Sequence, residues 1–374
     1  MTKQTVVVGM SGGVDSSVTA LLLKQQGYHV IGMFMKNWEE KNADGVCQSS
    51  LEYEDVIRVC DQLDIPYYSV NFVKEYWDNV FTHFLDEFKK GYTPNPDILC
   101  NREIKFKVLL AKALEIGGDF LATGHYCQNR EYKGSWELLK GSDMGKDQSY
   151  FLYTMGQHAL SKVLFPIGHL QKKELREIAR THQLATCEKQ DSTGICFIGE
   201  RNFKSFLKQY IPYTPGNFET LSGKIIGRHD GVAYYTPGQR KGMGIGGPGE
   251  PWFVVGKDIL RNVVYIEQGL RHPSLFCDEL TATEVSWVKG SFSNQLPYRC
   301  KSKVRYRQPD QDCTITAIDG ETLHVHFDIP QRAVTPRQSI VFYDGDVCLG
   351  GAIIQIPGQS YYTQQRMLPN IVAS

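Results

Sequence analysis

Apolar and polar positions follow two different periods along the first half of the chain. An apolar run at residues 5–9 gives way to a helical period in which Val14, Val18, Leu21 and Leu22 share one face, closed by Gly27. Apolar runs recur at 29–35, 66–72 and 119–126, with helical periods at 51–63, 76–90 and 102–116 between them. Strands alternating with helices predict an α/β fold, a doubly wound parallel sheet covered on both faces. Ligands of such sheets bind beyond the carboxyl ends of the strands, so residues 10–17, 35–38 and 124–125 form one expected rim. A hairpin turn is predicted at Lys133-Gly134 and a further helix at 172–184.

From about Tyr210 the helical period fades. Residues 221–235 read as short strands, and 236–251 as a Gly-rich loop carrying Arg240 and Lys241. From Cys277 onward short strands are expected at 279–288, 298–308, 312–318, 322–327, 339–343 and 347–356, which predicts a small closed β-barrel. The 374 residues therefore divide into three expected units, 1–205, 206–275 and 276–374.

Charge and cysteine content narrow the classes. Lys and Arg total 41 and so do Asp and Glu, so a nucleic-acid partner needs a local basic patch. In the barrel Arg299, Lys301, Lys303, Arg305 and Arg307 alternate, and period two places all five on one face as a phosphate-binding stripe. No apolar run is long enough to span a bilayer and the first strand starts by Thr5, which suits a cytoplasmic enzyme with no membrane partner. Ten cysteines with no Cys-x-x-Cys argue against a disulfide framework and against a zinc ribbon.

The chemistry starts at Ser11-Gly12-Gly13-Val14-Asp15-Ser16-Ser17, between a strand and a helix. Backbone amides converge there, and the helix dipole favours an anion. Gly12 and Gly13 allow close approach of a phosphate, and Ser11, Ser16 and Ser17 add hydroxyl donors. Asp15 repels a phosphate unless a cation intervenes, so it is an expected Mg²⁺ contact. The Gly-Lys-Ser/Thr of a Walker loop is missing. The string resembles the PP-loop of ATP pyrophosphatases, which bind pyrophosphate here and adenylate a substrate. Met35 reads equally as an adenine contact or as core, and Gly124-His125 as a nucleotide approach or a plain turn.

Two cysteines stand out. In residues 93–101 the two prolines exclude helix, and Asp97 and Cys100 lie three apart just before a helical period. The helix dipole would favour a Cys100 thiolate; the alternative is a buried Cys beside an Asp cap. Cys196 lies two residues after Gly194 in a polar stretch, 187–197. Adenylation makes a carbonyl oxygen a good leaving group, and a persulfide on one Cys can deliver sulfur to the same carbon. A second Cys can then cut the S–S bond.

Together these elements are similar to the bacterial tRNA-specific 2-thiouridylase family over essentially the whole chain. The matches are residues 9–17, Asn95-Pro96-Asp97 with Cys100, Gly124-His125, Lys146-Asp147-Gln148, Gly194-Ile195-Cys196-Phe197 and Arg305-Tyr306. The resemblance implies ATP activation of the C2 oxygen of uridine 34 in the tRNAs for Lys, Glu and Gln. It implies an ATP site of Gly9, Met10, Ser11, Gly12, Gly13, Val14, Asp15 and Ser16 with Met35 and Gly124. Asn95, Pro96 and Asp97 would receive the target base, with Asp97 as acid/base. Cys196 would carry the persulfide and Cys100 act as its partner thiol, ending as a Cys100–Cys196 disulfide. Lys146, Asp147, Gln148, Arg305 and Tyr306 would touch tRNA. A cysteine desulfurase or relay protein would supply sulfur. The rival readings are a PP-loop ligase or amide synthetase using an amine, a methyltransferase, and a non-enzymatic RNA-binding or redox-sensing protein. The turn lacks the Gly-x-Gly that a methyltransferase would use for its donor.

Overall fold

The computed structural model describes residues 3–39, 48–191, 203–211 and 214–373. Strand β1 (Thr5–Met10) lies between β2 (His29–Lys36) and a later strand, and β3 (Tyr67–Asn71) pairs with the outer side of β2. Across the switch from β1, β4 (Phe120–Ala122) pairs in parallel with Val6–Val8. Val6, Val7 and Val8 are fully buried, as expected of a parallel strand covered on both faces. The strand order reverses beside β1, so its carboxyl end opens into the crevice where such sheets take ligands.

The helix after the two prolines starts earlier than expected. Pro96 opens it and Asn95 caps it, accepting the Asp97 N–H at 3.0 Å. Proline is harmless at a first helical position because that N–H has no helical partner. The helix runs over 96–115, and its middle, Cys100–Leu109, is wound with the wider π spacing. The Leu110 N–H accordingly reaches the Lys105 carbonyl.

The predicted hairpin is β5 (Cys127–Tyr132) and β6 (Ser135–Lys140), turning through Lys133 and Gly134, both at positive φ. It reaches into another sheet, described below. The short β7 (Val163–Leu164) completes the parallel sheet in the order β3-β2-β1-β4-β7. A small central sheet holds β8 (Gly216–Glu219), β9 (Ile225–His229), β10 (Trp252–Asp258) and β11 (Val263–Gln268). The β10–β11 pair carries no sequence expectation.

The last unit is a closed antiparallel barrel of β12 (Phe276–Trp287), β13 (Tyr298–Lys303), β14 (Gln311–Asp319), β15 (Thr322–Arg332), β16 (Ser339–Asp344) and β17 (Val347–Pro357). Pairing of β12 with β17 closes it. Leu280, Ile315, Val325, Ile340, Phe342 and Ala352 fill its interior. At its edge β6 pairs with the start of β17, Leu138 opposite Cys348 and Leu139 opposite Val347.

The expected basic stripe does not form. Strand β13 ends at Lys303, and the chain then turns, so the two-residue alternation holds only as far as the chain stays extended. Arg299 and Lys301 are exposed, and Arg299 is paired with Asp328. Lys303 turns inward, 4% exposed, with Nζ 3.3 Å from Asp147 and 3.8 Å from Asp310. Arg305 donates to the carbonyls of Pro237 at 2.8 Å and Ala333 at 2.9 Å. Lys303 and Arg305 thus join domains. Breaking a buried ion pair costs ~3–5 kcal/mol, so Lys303→Glu is expected to lower the melting temperature sharply. A melting curve like that of the unchanged protein would contradict this role.

Lys257 ties the central sheet to the first domain. Its Nζ donates to Gly91 O and Tyr235 O, each at 2.6 Å, and burial pulls its pKa down to about 8. The unfolded chain keeps that proton up to the ordinary lysine value of ~10.4. Between pH 8 and that value only the unfolded state holds it, so stability contributed by this group rises with pH there. Lys257→Met is expected to flatten that rise; an unchanged pH profile of stability would argue against it.

Candidate active site

The loop after β1 is shaped by its own side chains. Gly12 has φ +70, and a Cβ there would lie 2.5 Å from the Glu52 carbonyl oxygen. Both facts require glycine. The Ser16 and Ser17 hydroxyls donate to Gly13 O at 3.1 and 2.9 Å, and Ser16 Oγ also receives the Ser11 N–H at 3.2 Å. These two hydroxyls therefore brace the turn from within. Gly13, at the N-cap of the Val14–Gln25 helix, gives no side-chain cap. The first-turn amides are thereby left to an anion. Gly12→Ala is expected to abolish ATP binding measured by calorimetry; retained affinity would refute this cradle.

The loop contains no cation, and the fold brings four to it. Lys172 Nζ lies 2.6 Å from Asp15 Oδ1 and 2.8 Å from Asp191 Oδ1. Arg176 and Lys146 also hold Asp191, at 2.7 and 2.8 Å. Lys189 donates to Gly12 O at 2.9 Å and pairs with Asp55 at 2.6 Å. Partial burial pushes the Asp191 carboxyl up, but hydrogen bonds from Lys146 and Lys172 outweigh it and hold it at about 2. Asp15 also accepts the Tyr126 hydroxyl at 2.9 Å. The repulsion expected between Asp15 and a phosphate is thus met by the Lys172 ammonium. Lys172 opens the Lys172–Thr181 helix, where the dipole disfavours a cation. Its two carboxylate partners offset that cost.

The rest of the rim closes on the loop. A Cβ on Gly124 would sit 3.0 Å from Ser16 N, so this glycine lets the end of β4 pack against the loop itself. Met35 is buried near the end of β2. His125 is buried and hydrogen-bonded to Thr123 Oγ1 at 2.8 Å; burial, then Lys105, pushes its pKa well down, so it is neutral.

A second group forms around the 96–115 helix. Asp97 and Cys100 lie one turn apart on one face, and the Cys100 thiol is fully buried. The Tyr306 ring, from the barrel, packs 4.3 Å from Phe151, and its hydroxyl donates to Lys146 O at 3.3 Å. Burial, then Asp147 and more weakly Asp97, pushes that phenol up to about 12. Asp147 is buried and accepts from Gly141 N, Ser149 N and Ser149 Oγ, each at 3.1 Å. Gln148 Oε1 accepts the Tyr126 N–H at 2.9 Å. Asp147, Gln148 and Arg305 therefore have side chains engaged at the junction, while Lys146 and Tyr306 lie between junction and surface. Gln338 of the barrel donates to Thr93 O, and Arg337 pairs with Glu87 at 2.8 Å.

Cys196, with Gly194, Ile195 and Phe197, lies outside the described residues. Asp191, held at the loop by three cations, is the last described residue before them. Among the described residues no group of three or more His, Cys, Asp or Glu could hold a metal ion, and no helix is long and apolar enough to cross a membrane.

Family models match three stretches: a tRNA methyl transferase HUP domain at 4–200, a tRNA methyl transferase PRC-barrel domain at 204–268 and an aminomethyltransferase beta-barrel domain at 277–354. The tRNA-specific 2-thiouridylase MnmA of Protochlamydia amoebophila is 65% identical, covering 98% of each chain. The chain belongs to the tRNA-specific 2-thiouridylase family. Its members of the same name from Halalkalibacterium halodurans and Alkaliphilus oremlandii are 57% and 59% identical over 93% of this chain and 94% and 96% of theirs. Among solved structures, the U34-tRNA thiolase NcsA of Methanococcus maripaludis aligns with 57% of this chain and 69% of its own. The TM-score is 0.35 and the identity 19%, too distant to bear on the site. The thiouridylase family name agrees with the Ser-Gly-Gly turn; the methyl-transfer wording of the domain models finds no Gly-x-Gly in the turn after the first strand.

Proposed function

We propose that this protein thiolates C2 of uridine 34 in the tRNAs for Lys, Glu and Gln at the expense of ATP. The observation that carries the reading is the junction itself. A cation-ringed anion loop and the Asp97–Cys100 helix meet through Lys146, Tyr306 and Phe151, with elements of barrel and nucleotide domain on both sides.

The triphosphate would lie on the amides of residues 12–16, with Lys172 beside it, and Met35 and Gly124 lining the adenine side. Mg²⁺ would arrive with it, Asp15 being the loop's own carboxylate for that ion. The target uridine leaves the anticodon stack, since its C2 is otherwise out of reach. Its O2 attacks the α-phosphorus and pyrophosphate leaves, with Asp97 as acid/base. The terminal sulfur of a Cys196 persulfide then attacks C2, and AMP departs with the former oxygen. The Cys100 thiolate attacks the Cys196 sulfur, breaking the S–S bond. The transferred sulfur stays on C2, and a Cys100–Cys196 disulfide remains for an external thiol to reduce. A cysteine desulfurase or relay protein reloads Cys196. Lys146, Asp147, Gln148, Arg305 and Tyr306 would shape the tRNA-facing side, in a cytoplasmic setting.

The test is mass spectrometry of tRNA nucleosides after incubation with ATP, Mg²⁺, cysteine and a cysteine desulfurase, which supplies sulfur at the persulfide level, and a thiol to reduce the disulfide. Appearance of 2-thiouridine, with one AMP and one pyrophosphate per sulfur, supports the reading. A methylated or amine-bearing nucleoside in its place overturns it.

A further inference from the structure

We propose that Asn101 reads the N3–H of the target uracil and so sets the preference for uridine over cytidine. The inference rests on the reading above that the base enters beside Asn95–Cys100. Asn101 is only 3% exposed, and its Nδ2 donates to the Phe151 carbonyl at 3.3 Å. A carbonyl can only accept, so this contact fixes which end of the amide is nitrogen. The other end, Oδ1, is a buried acceptor with no hydrogen-bond partner. Thr93 Oγ1, in the same 93–101 stretch, is likewise buried and without one. Buried polar atoms nearly always find partners. Two orphans within nine residues, one on the helix that carries Asp97 and Cys100 and one in the loop leading into it, mark a place that a polar ligand completes.

Position and chemistry agree. Asn101 follows Cys100 directly and stands one turn beyond Asp97. Phe151, which pins its amide, packs on the Tyr306 ring at 4.3 Å, and Tyr306 in turn feels the charge of Asp97. Uracil offers O2 and O4 as acceptors and N3–H as the one donor of its pairing edge. N3 is bonded to C2, the carbon to be thiolated. A fixed amide oxygen on N3–H therefore both identifies the base and holds C2 in place. Cytosine presents a lone pair at N3, which would face the Asn101 oxygen and leave it unpartnered. A site built to bond a polar group discriminates strongly against the analogue that lacks it.

The experiment compares two tRNA transcripts that differ only at the target base, uridine or 3-deazauridine, which places C–H where N3–H stood. tRNA-dependent pyrophosphate release and thiolation are measured with the wild-type protein and with Asn101→Ala. The wild type is expected to lose about 100-fold in kcat/KM on the deaza transcript. Asn101→Ala is expected to lose a similar factor on uridine and almost nothing more on 3-deazauridine. Equal deaza penalties in both proteins would mean that Asn101 only supports the fold, and would overturn the proposal. So would a wild type that treats both transcripts alike, whatever the variant does. ATP affinity of Asn101→Ala, read by calorimetry, reports whether the variant is folded. If the wild type releases no pyrophosphate with native tRNA, the function reading fails and this inference with it. Pyrophosphate release without discrimination removes the inference alone.

Discussion

Cys196→Ser is expected to eliminate 2-thiouridine formation, by ~10³-fold or more, while tRNA-dependent pyrophosphate release continues. A serine hydroxyl cannot hold a sulfane sulfur, yet in the proposed mechanism adenylation of the uracil oxygen needs only the loop, its cations and the residues proposed to receive the base. Cys100→Ser should stop at a different stage. Its persulfide donor is intact, so the Cys196 peptide should be found one sulfur heavier, or linked through sulfur to the tRNA. The two variants therefore separate carrier from partner thiol by mass spectrometry. Thiolation by Cys196→Ser would refute the carrier role, and turnover by Cys100→Ser without added thiol would refute the disulfide-forming step. Mild oxidation of the unchanged protein, with and without tRNA, should yield a Cys100–Cys196 peptide; its absence in both conditions would count against the two-thiol scheme.

The second large effect concerns Lys172. Its ammonium is the cation nearest the loop's own carboxylate, at 2.6 Å from Asp15. A charge-assisted hydrogen bond contributes ~1.5–3 kcal/mol, so Lys172→Met is expected to raise the KM for ATP by ~10–100-fold. tRNA affinity should change little, because the loss is at the phosphate end. Lys172→Arg should recover part of it. A variant with unaltered ATP dependence would make Lys172 a mere counter-ion of Asp15 and Asp191.

The parallel sheet could be read from the sequence because strands buried on both faces leave uninterrupted apolar runs, such as Val6–Val8. The barrel could be read because short strands and turns succeed one another from Cys277 onward. The loop was legible for a local reason: strand, glycine turn and helix are consecutive. What escaped depends on distance along the chain. Lys172 meets Asp15 across 157 residues and Lys146 meets Asp191 across 45, and no local period encodes either. At Lys303 and Arg305 the alternation in the sequence runs on past the end of the strand, so period two no longer sets where their side chains lie. Pro96 misled for a similar reason: a proline forbids the middle of a helix and suits its first turn. Asn101 gave no signal, since an orphaned amide exists only once its surroundings are folded.

The pairing of the 127–140 hairpin with β17 has a bearing on how the enzyme can be taken apart. A C-terminal fragment beginning at residue 277 would lack the segment that shields the opening residues of β17, and an unshielded sheet margin invites self-association. Calorimetry of the intact protein should then register one cooperative melt spanning both ends of the chain, and inheritance should keep these two units together.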